Sequence, residues 1–345
     1  MRKTKGAGSL RILLILTGGT ICSRTESGNR RSDVHAAATV LEERYFAAHP
    51  DSDVQFTAEK PINRLSEDLT PEDWRTLLRT LAQTDLTAFS GILIAHGTDT
   101  LDQTAAMLSA ALCGISVPVI LVSAIAPPLD PQTNAHVNFA AAVQLLQQRL
   151  AGGVWAVYQN SDGVTYLHSG ACLRRCTHGS TDFFSDTMQP VDAVLCADRI
   201  PAEKNTCFAL QAMTCEKEIC LVHPYTGMRY DTLPLDGIAA IVQETYHSET
   251  ANAQTDSPYS VQTLLRRCRA AGIPCYLAPC TEAAQCYGSA HDLVAAGAIP
   301  LYMPSALAYG AVWVGCQCGL TGNALTDFVR QTAQRLSRLP FRCCM

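Results

Sequence analysis

Positive charge, and lysine above all, is scarce in this chain. Its 345 residues carry 26 basic side chains against 31 acidic ones, a formal charge of −5, and five of the basic ones are lysines (Lys3, Lys5, Lys60, Lys204 and Lys217). That balance argues against a nucleic-acid partner, which needs a basic face. Long apolar runs are missing too: nothing approaches the ~18 residues of a membrane span. The apolar stretch 12–16 behind Arg2, Lys3 and Lys5 is shorter than the ~7–15 residues of a signal core. The expectation is a soluble, unexported, cytoplasmic protein without a membrane partner. There is no C-x-x-C pair among the 16 cysteines, so no zinc half-site stands out and no metal is expected. The thiols are expected to be reduced and mostly buried, with Cys113, Cys196 and Cys275 among apolar neighbours. The G-x-G-x-x-G and Gly-Lys-Ser/Thr spacings of nucleotide loops are also missing.

What is present is a globular composition, 48% apolar, long enough for one large domain or two ordinary ones. Short apolar runs at 11–16, 91–95, 117–122 and 154–158 predict strands, and helical spacing separates them. Val34, Ala37, Ala38, Leu41 and Tyr45 share one helical face. Thr70, Pro71 and Asp73 mark a helix start ahead of Trp74, Leu77, Leu78 and Leu81. Thr100 and Gln103 are placed to cap the helix after them, and 140–150 is a further helical stretch. Strands alternating with helices predict a parallel sheet covered on both faces. The pattern weakens between 190 and 217, then resumes with strands at 219–222, 237–242 and 273–278 and helices at 261–269 and 325–336. The reading is a two-domain α/β chain. A larger, Rossmann-like parallel-sheet domain spans 1–190, a linker 191–216 and a smaller α/β domain 217–345.

Ligands of open α/β sheets collect beyond the carboxyl ends of strands. Two polar clusters stand at such ends, Thr17-Gly18-Gly19-Thr20 and His96-Gly97-Thr98-Asp99-Thr100. Hydroxyls beside a carboxylate are the parts of an acyl-transfer site, given a base that takes the hydroxyl proton. His96 is expected to bond backbone rather than react. Asn134, His136 and Asn138 fit a turn with a helix cap about as well as a ligand site. Cys22, though near Thr20, has no basic partner to activate it.

Together, Thr17-Gly18-Gly19-Thr20-Ile21, the 96–100 segment and Leu65-Ser66-Glu67-Asp68-Leu69-Thr70-Pro71-Glu72-Asp73-Trp74 resemble the signatures of the bacterial-type L-asparaginases, closest to their cytosolic branch. The resemblance implies Thr20 as nucleophile, and Thr98 and Asp99 as a second catalytic group. It makes Ser66, Glu67 and Asp99 the groups that hold the substrate's α-carboxylate and α-amino ends. It also implies no cofactor, a small amino-acid substrate, and a homodimer or homotetramer. Two positions depart from the family pattern. The segment 22–31 holds no tyrosine where the family has one, and Arg174-Arg175 stand about where the family has its catalytic lysine. An arginine stays protonated and cannot act as a base; Arg175 is left to orient Asp99 or stabilise negative charge. His247, with Glu244 or Glu249 to orient it, is the candidate proton acceptor. The leading expectation is ammonia release from L-asparagine. The alternatives are a catalytically weak amino-acid-binding homologue, and an amidase for glutamine or another small amide.

Overall fold

The apolar run behind the N-terminus forms β1 (Arg11–Leu16), and every residue from Ile12 to Leu16 is buried. A strand apolar on both faces belongs inside a parallel sheet covered on both sides, and β1 lies second from the edge of one. The computed structural model describes residues 9–26, 29–196, 213, 215–281 and 287–337, and the chain divides into two units that part near residue 210.

In the first unit β1 is followed by β2 (Ser23–Glu26), β3 (Asn29–Ser32), α1 (Val34–Ala48), β4 (Gln55–Glu59), α2 (Pro71–Gln83), β5 (Gly91–Ala95) and α3 (Leu101–Ala111). Then come β6 (Pro118–Val122), α4 (Ala135–Gln147), β7 (Gly153–Gln159), β8 (Thr165–Ser169), β9 (Gln189–Pro190) and α5 (Val191–Cys196). The sheet order is β4-β1-β5-β6-β7-β8-β9, while β2 and β3 form a separate hairpin. Pairing is parallel from β4 through β7, and β8 and β9 run antiparallel. A parallel crossover needs a dozen or more residues; the short 160–164 connection between β7 and β8 permits only the antiparallel turn. Alternate strand residues, among them Leu14, Leu93, Ile120 and Val157, pack on α1 and α4 through Leu41, Phe139 and Val143. Helix α3 packs on β7 and is joined to α2 where Trp74 Nε1 donates to Thr104 Oγ1 at 3.1 Å.

The second unit contains β10 (Glu218–Val222), β11 (Ile238–Glu244), α6 (Val261–Ala271), β12 (Cys275–Ala278), α7 (Gly288–Ala295), β13 (Ile299–Pro300), α8 (Ser305–Gln317) and α9 (Gly322–Leu336). Its four strands are all parallel, in the order β10-β11-β12-β13. Val222, Ile241 and Leu277 pack on Val261, Leu264 and Leu265 of α6.

Several expectations change. The expected linker begins with β9 at its edge and α5 inside it; residues 197–212 and 214 lie outside the described ones. Strand β4 and helix α8 escaped the sequence reading for opposite reasons. Strand β4 is a half-exposed edge strand with little apolar content. Helix α8 is apolar nearly all round, without the one-sided stripe that marks a surface helix. Eleven described cysteines are outside any disulfide, Cys196 being exposed rather than packed. Cys172 is disulfide-bonded, which corrects the reading of all thiols as reduced; a disulfide depends on proximity in space that spacing along the chain does not reveal.

Candidate active site

Because β1 and β5 are parallel neighbours, their carboxyl ends deliver two loops side by side. The backbone N–H and the hydroxyl of Thr17 each donate to Ala95 O at 3.0 Å, stapling the first loop to the end of β5. Gly19 N–H donates to Arg64 O at 2.8 Å and Arg64 N–H to Thr17 O at 3.2 Å, which brings in the turn at Ser66–Asp68. Two glycines set how closely these segments meet. A Cβ on Gly19, whose φ is +74°, would lie 2.1 Å from Gly97 Cα, and a Cβ on Gly97 would lie 2.4 Å from Ser66 Oγ. Ser66 Oγ donates to Asp99 Oδ2 at 3.3 Å and accepts from Asp99 N–H at 3.1 Å. Thr100 does not cap α3 with its side chain: its hydroxyl donates to Ser66 O at 3.0 Å.

These segments form the wall of a cleft of about 740 Å³. Of the residues singled out in the sequence, Thr20, Ser66, Glu67, Thr98, Asp99 and Arg175 line it together. His247 belongs to the second unit, in an exposed turn closed by Tyr246 N–H to Thr250 O at 2.9 Å. The Glu244 carboxylate is held by His223 Nδ1 and, at 2.6 Å, by Ser305 Oγ. The sequence reading missed Ser23 and Arg30 of the β2–β3 hairpin, Ile125, Tyr158, Cys176 and His178, all of which line the cleft. Ile125 and Tyr158 stand at the carboxyl ends of β6 and β7, where the strand-end rule points. Arg30 lay in a segment read only for the tyrosine it lacks.

Burial sets the protonation of several side chains here. It pushes the Tyr158 phenol up to about 12, partly opposed by a hydrogen bond with Asn134, so the phenol is neutral at pH 7. It lifts the Cys176 thiol to about 11, helped by the nearby Asp182, Asp102 and Asp99 carboxylates. It raises Cys22 to about 12, so this thiol stays protonated and unreactive. His96 is fully buried and lowered to about 4; its Nδ1 donates to Gly97 O at 2.8 Å, the backbone role expected of it. Asn134 is the N-cap residue of α4, but its side chain makes no cap bond. Asn134 Oδ1 accepts from Ile125 N–H at 2.9 Å, Asn138 Nδ2 donates to Ser123 O at 2.9 Å, and Asn138 Oδ1 accepts from Gln159 N–H at 2.7 Å. They tie the ends of β6 and β7 together. Among the described residues no group of three His, Cys, Asp or Glu side chains is placed to hold a metal ion.

Hydroxyls, carboxylates and close-packed glycine loops converge in a strand-end cleft, the place where ligands of open α/β sheets collect. The chain belongs to the asparaginase family, a family of amidohydrolases: the model of the asparaginase N-terminal domain matches residues 11–205. Among curated proteins it is similar to a subunit of the glutamyl-tRNA(Gln) amidotransferase of Thermococcus kodakarensis, 31% identical over 174 residues, 50% of this chain and 39% of that one. The like-named subunit from Pyrobaculum aerophilum is 28% identical over 234 residues, 63% of this chain and 53% of that one. The chain thus spans about two-fifths to one-half of the length of these relatives. In fold it resembles the thermostable L-asparaginase of Thermococcus kodakarensis, with TM-score 0.72 and 18% identity, covering 94% of this chain and 96% of that one. L-asparaginase I of Vibrio cholerae matches with TM-score 0.68 and 20% identity, covering 93% and 97%. No described helix is long and apolar enough to cross a membrane.

Proposed function

We propose that the protein is an amidohydrolase of L-asparaginase type, which releases ammonia and L-aspartate from L-asparagine. The observation that carries this reading is the contact of the Gly19 and Gly97 bends, which sets Thr20, Thr98 and Asp99 in one cleft. In this reading the Thr20 hydroxyl attacks the ω-amide carbon, and backbone N–H groups near Thr98 hold the oxyanion. Water then hydrolyses the aspartyl ester. Asp99 and Glu67 hold the α-ammonium group, and Ser66 the α-carboxylate. Arg175, permanently charged, stabilises negative charge or orients Asp99. His247 is assigned the proton-acceptor role, and Arg175 takes no proton. The working form is a homodimer or homotetramer in the cytoplasm; no cofactor is invoked.

Thr20→Ala is expected to reduce ammonia release from L-asparagine by at least about 10³-fold, as loss of a nucleophile does, while the thermal midpoint is retained. Full turnover in that variant rejects the nucleophile assignment, and aspartate binding without turnover in the wild-type protein rejects the hydrolase. His247→Ala with unchanged turnover removes histidine from the scheme. A second reading, an amidase for L-glutamine, draws support from the curated relatives named as parts of a glutamyl-tRNA(Gln) amidotransferase. Ammonia release from the two amino acids, compared side by side, decides between them.

A further inference from the structure

The cleft extends well beyond the part that an asparagine would fill. Its wall follows the carboxyl edge of the sheet across four neighbouring strands: Thr20 beyond β1, Thr98 and Asp99 beyond β5, Ile125 beyond β6, and Tyr158 in β7. At about 4.8 Å per strand that row is roughly 14 Å long. An asparagine held by Glu67 and Asp99, with its side-chain amide at Thr20, occupies the β1–β5 end alone. A cleft of about 740 Å³ is of the size that encloses a drug-sized molecule.

Charged side chains of both signs line the same row. The carboxylates, Glu67 and Asp99, stand at the β1–β5 end. Arg30 reaches the end of β6, where its Nη1 lies 3.5 Å from Ile125 O. Arg175 and His178 sit in a turn closed by Arg174 N–H to Phe184 O at 2.9 Å. That turn is anchored just past β7: Asn160 Nδ2 donates to Phe183 O at 2.9 Å and Asn160 Oδ1 accepts from Phe183 N–H at 3.0 Å. Ser161 adds two bonds of 2.7 Å to the Asp182 carboxylate. Arg174 is paired with Asp186, whereas among the described residues neither Arg30 nor Arg175 is paired with a carboxylate. Two unpaired guanidiniums beside the unfilled part of a cleft form a receptor for an anion.

We propose that the preferred substrates are ω-amides of an acidic α-amino acid whose amide nitrogen carries an anionic substituent, namely β-aspartyl or γ-glutamyl conjugates of a carboxylate-bearing amine. This rests on the hydrolase reading of Thr20 and names its substrate class. Arg30 and Arg175 pair with the carboxylate of the leaving amine. Thr20 Oγ forms a bond to the ω-carbonyl carbon, the C–N bond breaks, and the hydroxyl proton ends on the departing nitrogen. Water then adds to the ester, the Thr20 O–C bond breaks and Thr20 regains its proton. The sum is conjugate plus water giving the acidic amino acid and the free amine.

The test follows amine release by mass spectrometry from L-asparagine, L-glutamine, β-aspartyl-glutamate, γ-glutamyl-glutamate and the neutral control N-ethyl-asparagine, using the full chain. One or both carboxylate conjugates should exceed N-ethyl-asparagine in kcat/KM by about tenfold or more, the effect of one good charge-assisted pair. Arg30→Gln should shrink that ratio about tenfold, and Arg30→Lys should restore part of it, since a lysine keeps the charge and loses the bidentate fork. The β-aspartyl and γ-glutamyl arms separate the two amino-acid lengths. Cleavage of L-asparagine without cleavage of either conjugate overturns the substrate class and leaves the hydrolase standing. So do equal rates for charged and neutral conjugates. An unchanged ratio in an Arg30→Gln protein that melts at the wild-type temperature has the same force, and Arg175→Gln takes its place if the first variant does not fold. A wild-type protein inert towards every amide overturns both readings.

Discussion

Gly19 carries more of the site than either threonine beside it. Its φ of +74° lies where an L side chain is strained, and the space a Cβ would need is already filled by Gly97 Cα. Gly19→Ala is therefore expected to destabilise the first unit by about 2–4 kcal/mol, visible as a lowered thermal midpoint, and to abolish ammonia release by pushing the two bends apart. A variant with wild-type melting and turnover would show that the bends need not touch. The glycines were legible in the sequence as bends at strand ends. That Gly19 faces Gly97, 78 residues further along, was not, because nothing local in either tetrapeptide encodes which strand lies next to which. Arg30 shows the same limit: a hairpin arginine reads as an ordinary surface charge until the fold lays it over β6.

At the level of elements, the strand ends that build the cleft are held by side-chain struts. Asn138, fully buried in α4, spans from Ser123 O to Gln159 N–H. Replacing it by alanine orphans a buried carbonyl and a backbone N–H at once. The expected loss is about 2–4 kcal/mol in urea unfolding, with a weakened KM because Ile125 and Tyr158 shift. The start of α2 behaves as its sequence predicted. Thr70 N–H and Thr70 Oγ1 both donate to Asp73 Oδ2, at 2.8 and 2.7 Å, since the capping pattern is local and needs no partner from elsewhere. Thr100 carried an equally plausible capping signature, yet its hydroxyl was drawn away by Ser66 O, a tertiary partner that outcompeted the local one.

Across the molecule, stability is linked to pH through two buried imidazoles. Burial lowers His96 to about 4, opposed by its bond to Gly97 O, and burial lowers His168 to about 4 as well. Both are neutral in the folded chain and take up a proton more readily when it unfolds. Their contribution is therefore complete above the unfolded value near 6.5 and is lost as pH falls from there to the folded value, by about 3 kcal/mol each at pH 4. Urea midpoints measured from pH 7 down to pH 4.5 should fall steadily, and His168→Gln should flatten part of that slope. A pH-independent midpoint would mean that these imidazoles are not neutral in the core.

The amino-acid sequence by itself determined the alternation of strands and helices, the bends at the carboxyl ends of β1 and β5, and the residue types able to act there. Each of these depends on periodicity or on a few adjacent residues. Tertiary structure alone decided that β1 and β5 are neighbours and that the Ser66 turn closes on both. It also decided that β8 turns back, and that Arg30, Tyr158 and the 175–181 segment complete the cleft. Contacts between residues far apart in the chain are selected by how whole faces pack, and no short stretch of sequence carries that information.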